Sequence, residues 1–215
     1  MGLKFMDKSK NVVEFYVLCN KLKNIVRTGW LDFNIQRERV ESVAEHIYGT
    51  QMLAIAMWSE FKQNIDIKKV LCMIAIHELE ETIIGDLTYL QIDKQTKRKI
   101  GLEAVHKILS KLDQGKTFEE LILEYTEQKS AEALFVRQCD KLECDLQAKL
   151  YDEELCIDLN NQENSTAFKN GEIKEFKHPT KTWGEMWITR DQQLGLFKDE
   201  FMEVSDYILN NKINK

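Results

Sequence analysis

The segment Asp66-Ile67-Lys68-Lys69-Val70-Leu71-Cys72-Met73-Ile74-Ala75-Ile76-His77-Glu78 decides the fold class. Asp66 is a residue type that caps helix N-termini, because a short side-chain oxygen can accept from the first free backbone N–H groups. Ile67, Val70, Leu71 and Ile74 follow at i, i+3, i+4 and i+7, the period of one buried helical face. This spacing predicts a helix from Asp66 to about Glu80. It carries a His-carboxylate pair into apolar surroundings, where such a pair is costly unless something partners it.

The same period extends in both directions. Upstream, Ser42-Val43-Ala44-Glu45 has the Ser-x-x-Glu form of a capping box, predicting a helix to about Gln63. Before it, residues 11–25 are good helix formers that stop at Arg27-Thr28-Gly29-Trp30, and residues 31–41 are polar and irregular. Downstream, Gly85-Asp86 marks a break, and a charged helix is expected at about 94–112, ended by Gln114-Gly115. Thr117-Phe118-Glu119-Glu120 reads as a second capping box opening a helix to about Gln128. Ser130 caps a long helix with Phe135, Cys139, Leu142, Leu146 and Leu150 on one stripe. Residues 159–181 read as loop. A final helix at about 190–210 carries Leu194, Phe197, Phe201, Val204 and Ile208. No strand-like alternation, repeat or linker interrupts this pattern. The expectation is an all-α chain forming one helical domain over residues 1–215, with its motif-bearing part at about 18–152 and a C-terminal loop and helix at about 159–212.

Composition agrees. One proline and nine glycines in 215 residues are too few for the turns of an all-β fold. The longest apolar run, Val70 to Ile76, is far short of the ~20 residues of a membrane span. The opening Met1-Gly2-Leu3-Lys4-Phe5-Met6 lacks a signal-peptide core, and Met6 stands where a myristoylation signal has Ser or Thr. A cytoplasmic protein without a membrane partner is expected. A net charge of −6 argues against a nucleic-acid polymer as partner but leaves room for a small anionic substrate, since local arginines or a metal override net charge. The five cysteines form no CxxC pair and read as buried thiols.

The chemistry gathers on four residues. His77 and Glu78 are joined by His46, near the start of the second helix, and by Asp140, in the long helix. Two imidazoles and two carboxylates from three helices make a workable mixed N/O site for a divalent transition metal with open positions. Glu81, four residues after His77, is expected on the same helical face. Carboxylates at a helix C-terminus oppose the helix dipole, which hints at a purpose other than helix stability. Glu80 reads as a solvated acid. His106 and His178 lack acidic partners at ligand spacing, and Trp183 and Trp187 read as core. No Gly-rich phosphate loop is present.

A His, then His-acid some thirty residues on, then a distant Asp, resembles the signature of the HD-domain metal-dependent phosphohydrolases. The flanking Arg27-Thr28-Gly29-Trp30, Arg39-Val40-Glu41-Ser42, Gly85-Asp86-Leu87 and Asp140-Lys141-Leu142 look like the 5′-deoxynucleotidase branch. The resemblance implies that His46, His77, Glu78 and Asp140 hold one divalent transition metal (Mn, Co, Fe, Ni or Zn). It implies that Glu81 assists the attacking water, that Asp86 contacts the sugar, and that Trp30 packs against the sugar and disfavours a 2′-hydroxyl. Arg39 and Arg27 are the candidates for the phosphate, and a homodimer is implied. The implied reaction is hydrolysis of 2′-deoxynucleoside 5′-monophosphates. The superfamily signature equally fits a phosphodiesterase on another nucleotide, and because the family has Asp where this chain has Glu78, a degenerate nucleotide-binding protein stands as a further alternative.

Overall fold

The computed structural model describes residues 2–214, with side chains from Lys8 onward. The side chains of the lipidation reading at Met1–Met6 lie outside the described residues. Helix α1 spans Gly2–Cys19 and tightens into a 3₁₀ turn, Asn20–Asn24. Here the stop expected at Arg27–Trp30 is replaced by a short helix, α2, over Thr28–Asp32. Asp86 supplies the local cause: its Oδ2 accepts from the Thr28 backbone N–H at 2.6 Å, and its carbonyl accepts from the Thr28 hydroxyl. A contact 58 residues away in sequence thus caps this turn, and no local signal announced it.

Helix α3, Val43–Phe61, opens with the expected capping box between Ser42 and Glu45. Its start is tied to the segment before α2 by an isolated antiparallel bridge between Val26 and Ser42. Val43 N–H donates to the Ile25 carbonyl and Arg27 N–H to the Glu41 carbonyl, both at 2.9 Å. Helix α4 runs Ile67–Ile76 with Asp66 as its cap, ending four residues earlier than its apolar period suggested. A second short helix, α5, covers Glu81–Ile84, and Gly85 closes it at a positive φ of 75° that favours glycine.

Helix α6 spans Lys94–Leu109 and α7 spans Gly115–Glu127. The predicted box at Thr117 does not form, because α7 begins two residues earlier with no side-chain cap. Gly115 sits against the carbonyl of Leu109, and a Cβ there would come within 1.8 Å of that oxygen. The turn between α6 and α7 therefore needs glycine for close approach. Helix α8, Ala131–Glu153, is capped by Ser130 as expected. It is the axis of the molecule, with α3, α4, α7, α11 (Trp183–Gln193) and α12 (Glu200–Asn210) packed around it. Val136, Cys139 and Leu142 on α8 meet Met57 of α3 and Val70, Met73 and Ile74 of α4 in the main core.

The C-terminal third departs furthest from expectation. The stretch 159–181 holds two four-residue helices, α9 (Thr166–Lys169) and α10 (Ile173–Phe176), whose Ala167, Ile173 and Phe176 are buried. The single final helix is two, broken at Gly195 and Asp199, both at positive φ. Leu194, expected on the buried stripe, is 62% exposed, while Phe197, Phe201 and Ile208 are in the core. An aromatic cluster of Trp30, Phe33, Phe176, Trp183 and Trp187 clamps α2 to α10 and α11. Among the described residues there is no strand, and no helix is long and apolar enough to cross a membrane. All five cysteines are free, with Cys139, Cys144 and Cys156 buried and Cys19 and Cys72 only partly so.

Candidate metal centre and cleft

Three helices bring four side chains to one point. His46 comes from the second turn of α3, Asp140 from the middle of α8, and His77 and Glu78 from the turn that ends α4. One ligand atom from each lies within 4.8 Å of every other. His46 Nε2 is 3.1 Å from Asp140 Oδ1, and Glu78 Oε1 is 3.5 Å from His77 Nε2 and 4.0 Å from His46 Nε2. Both imidazoles are aimed by their far nitrogens. His77 Nδ1 donates to the Ile74 carbonyl at 2.7 Å, and His46 Nδ1 lies 2.5 Å from Glu143 Oε2. That leaves both Nε2 atoms facing the two carboxylates. His77 Nε2 is buried without a hydrogen-bond partner. An orphaned buried imidazole nitrogen costs about 1–3 kcal/mol, and a cation between these groups removes that cost. The donor set therefore fits a divalent transition ion, with outer hydrogen bonds orienting each histidine as metal sites require.

Electrostatics follow the same geometry. Burial and the nearby Arg27 push the His46 imidazole down, but Glu143 and Asp140 outweigh them and hold it up at about 9. Burial keeps His77 below its ordinary value. Asp140 is buried too, yet Lys141, 2.9 Å from its Oδ2, and the two imidazoles hold it well below the usual carboxylate range. The Tyr125 hydroxyl donates to the same oxygen at 3.3 Å.

Glu81 does not share a helical face with His77. The backbone from Ile76 to Ile83 runs through i→i−3 hydrogen bonds, Leu79 to Ile76 and Glu81 to Glu78 among them. Three residues per turn carry Glu81 round toward Glu78 instead. It opens α5, where a negative side chain suits the helix dipole, so the argument from an unfavourable C-terminus does not apply to it. Its carboxyl is buried, with Oε2 unpartnered and Oε1 3.7 Å from Lys97 Nζ. Burial, reinforced by Glu78 and Asp86, pushes it up to about 11. Glu80, expected in solvent, is partly buried with an unpartnered oxygen.

A cleft of about 420 Å³ opens beside this cluster. Arg27, Trp30, Glu78, Glu81, Asp86, Lys97 and Lys141 face it, along with Trp187, Asp191 and Leu194 of the C-terminal region. Arg27 is nearly buried, 3.7 Å from Glu78, and its Nη2 donates to the Cys144 thiol at 3.1 Å. Trp30 is held edge-on by its indole N–H, which donates to Glu41 at 2.7 Å. Arg39 is placed elsewhere: its side chain is 80% exposed and rests on Glu45 of the capping box, outside the cleft. Glu143 and Lys97 escaped the sequence reading. The available signal for Glu143 was its i+3 relation to Asp140, which puts both on one face of α8.

The chain resembles known proteins over most of its length. Residues 19–179 match the family model of the HD domain. The 5′-deoxynucleotidase HDDC2 of Dictyostelium discoideum is 33% identical over 177 residues, which is 79% of this chain and 92% of that protein. The 5′-deoxynucleotidase HDDC2 of Homo sapiens is 33% identical over 175 residues, 80% of this chain and 81% of that protein. Among solved structures, the PH0347 protein from Pyrococcus horikoshii OT3 superposes with a TM-score of 0.65 at 27% identity, covering 92% of this chain and 98% of that one.

Proposed function

Because the chain belongs to the HD-domain family, we propose that it works as a metal-dependent 5′-deoxynucleotidase, releasing phosphate from 2′-deoxynucleoside 5′-monophosphates. The observation that carries this reading is the convergence of His46, His77, Glu78 and Asp140, with an orphaned His77 Nε2, at the edge of a cleft with cationic and aromatic walls. These four residues would hold one divalent ion, drawn from Mn, Fe, Co, Ni and Zn. When bound, such an ion supplies Lewis acidity and an activated water.

The chain's own groups divide the remaining work. Arg27 and Lys97 bring positive charge to the phosphate, Arg27 with a guanidinium that can bond two oxygens at once. Glu81, buried and holding its own proton at neutral pH, orients the attacking water by a hydrogen bond at its free Oε2. Asp86 anchors Thr28 and so sets the position of Arg27 and Trp30. Its carboxylate also borders the cleft, where a sugar 3′-hydroxyl can reach it. Trp30, fixed by Glu41 and the aromatic cluster, offers a rigid wall against a 2′-hydroxyl. Glu78 supports activity because its longer stem still delivers Oε1 to both imidazoles.

We further place the protein in the cytoplasm, as a homodimer and as one domain over its whole length. A panel of deoxy- and ribonucleoside monophosphates assayed with and without added Co²⁺ or Mn²⁺ tests the reading. Metal-dependent phosphate release favouring the deoxy series is expected. Binding without turnover for every substrate and metal would refute it.

A further inference from the structure

Four aromatic residues line the cleft, and three of them pack on one another. Trp30 and Phe33 are buried, and each meets the half-buried Trp187, with ring centroids 5.2 Å and 5.6 Å apart. Tyr89 is the fourth. It lies three residues beyond Asp86 and is 62% exposed. Exposed side chains usually turn freely, but this ring is held. Its hydroxyl donates to Glu172 Oε2 at 2.9 Å. The Arg190 guanidinium rests over the ring, 5.7 Å from its centroid. Arg190 is fixed in turn by Phe176, at the same distance, and by Glu172 and Glu175 at 3.6 and 3.7 Å. The polar end of Tyr89 is therefore engaged, and what it offers a ligand is apolar ring surface in a set orientation, beside Leu90 and Leu194.

Exposure orders the cleft from floor to mouth. Glu81 is buried and the side chains of Arg27 and Glu78 are each 15% exposed, whereas Tyr89 and Leu194 stand open to solvent. A nucleoside monophosphate that enters phosphate first leaves its base at the mouth. Phosphate transfer has no use for a rigid aromatic there, but a base does, because its π-face stacks on such a ring. Resting on the 5′-deoxynucleotidase reading above, we propose that Tyr89 is the platform on which the base of the substrate stacks, held in place by Glu172 and Arg190. Every base has a π-face, so this platform accepts all of them and ranks them by stacking strength, purines ahead of pyrimidines.

Comparing dAMP with 1,2-dideoxyribose 5-phosphate, which keeps the sugar ring and the phosphate but lacks the base, isolates this contact. Wild-type kcat/KM should favour dAMP by about 5- to 150-fold, the range of one base–aromatic stack, and dAMP should lead dCMP by a smaller factor. Tyr89→Ala should bring the dAMP-to-abasic ratio to near one, through KM for dAMP. Tyr89→Trp, which restores an aromatic face, should keep the ratio or raise it. Melting curves show that both variants are folded, and calorimetric affinities for the two phosphates accompany the kinetics. A wild-type ratio below about threefold, an unchanged ratio in Tyr89→Ala, or equal losses in Tyr89→Ala and Tyr89→Trp overturns the platform and leaves the phosphatase reading intact. Absence of any turnover refutes that earlier reading instead. An affinity difference between the two phosphates that Tyr89→Ala erases and Tyr89→Trp retains would then still uphold the platform, and one that survives Tyr89→Ala would sink it.

Discussion

Glu143 Oε2 lies 2.5 Å from Nδ1 of His46, and this contact fixes which imidazole nitrogen faces the cluster. With Nδ1 committed to Glu143, Nε2 is the nitrogen turned toward Asp140, Glu78 and any ion held between them. Removing such an outer partner typically costs 10–100-fold in metal affinity. Glu143→Ala is expected to lower affinity for Co²⁺ or Mn²⁺ by about that factor. Glu143→Gln, which keeps an acceptor oxygen, should lose less. Metal titration followed by calorimetry separates the two, and equal affinities in wild type and Glu143→Ala would remove the orienting role.

Glu78 and Glu81 should fail in different ways. Glu78→Asp retains or raises metal-dependent activity, since a carboxylate stays beside both imidazoles. Glu78→Ala loses metal, having given up one anionic donor of four. Glu81→Ala keeps its metal but turns over about 100-fold or more slowly, the scale of a lost positioned acid–base group. Bound metal and initial rates measured on the same preparations decide the roles. Wild-type behaviour of Glu78→Ala in both would show that Glu78 is not a ligand.

The two arginines make a third comparison. Arg27 borders the cleft and Glu78, whereas Arg39 sits on the exposed capping box. Arg27→Ala should lower kcat/KM by roughly 10- to 100-fold, as expected for losing a charged hydrogen bond. Arg39→Ala should stay within about threefold, because exposed ion pairs are worth about 0–1 kcal/mol. The reverse order would move the phosphate site toward α3.

Asp145 should also mark the pH dependence of stability. Its folded pKa, about 9, is above the ordinary 3.8, so between those values the unfolded chain has released a proton that the folded chain retains. Stability from this group therefore falls as pH rises from about 4 toward 9 and is level beyond. Asp145→Asn removes the effect. Its melting temperature relative to wild type should climb between pH 5 and pH 8, and a constant difference would show that Asp145 ionises normally.

Sequence legibility followed where the signal was local. Asp66, Ser42 and Ser130 cap their helices as their residue types suggest, and the four cluster residues stood out as charge and imidazole in apolar helices. Glu143 did not, because an acid on a charged stretch of α8 reads as a solvated face until the fold supplies His46 opposite it. The face of Glu81 was misjudged because 3.6-residue counting cannot foresee a 3₁₀ turn imposed by packing. In residues 159–181, α9 and α10 are one turn each, too short for any period to register. The break between α11 and α12 depended on Gly195 and Asp199 at positive φ, and only Gly195 gave a visible cue.

The Trp30–Trp187 contact, with ring centroids 5.2 Å apart, spans more than 150 residues of chain. Every metal-cluster residue lies between His46 and Asp140, whereas the far cleft wall comes from α11. The cluster and the far cleft wall thus lie on separate stretches of polypeptide that meet through a few indole rings. That arrangement makes the molecule modular for an engineer: cleft-facing residues within 183–196 can be exchanged to reshape that wall while His46, His77, Glu78 and Asp140 keep their places.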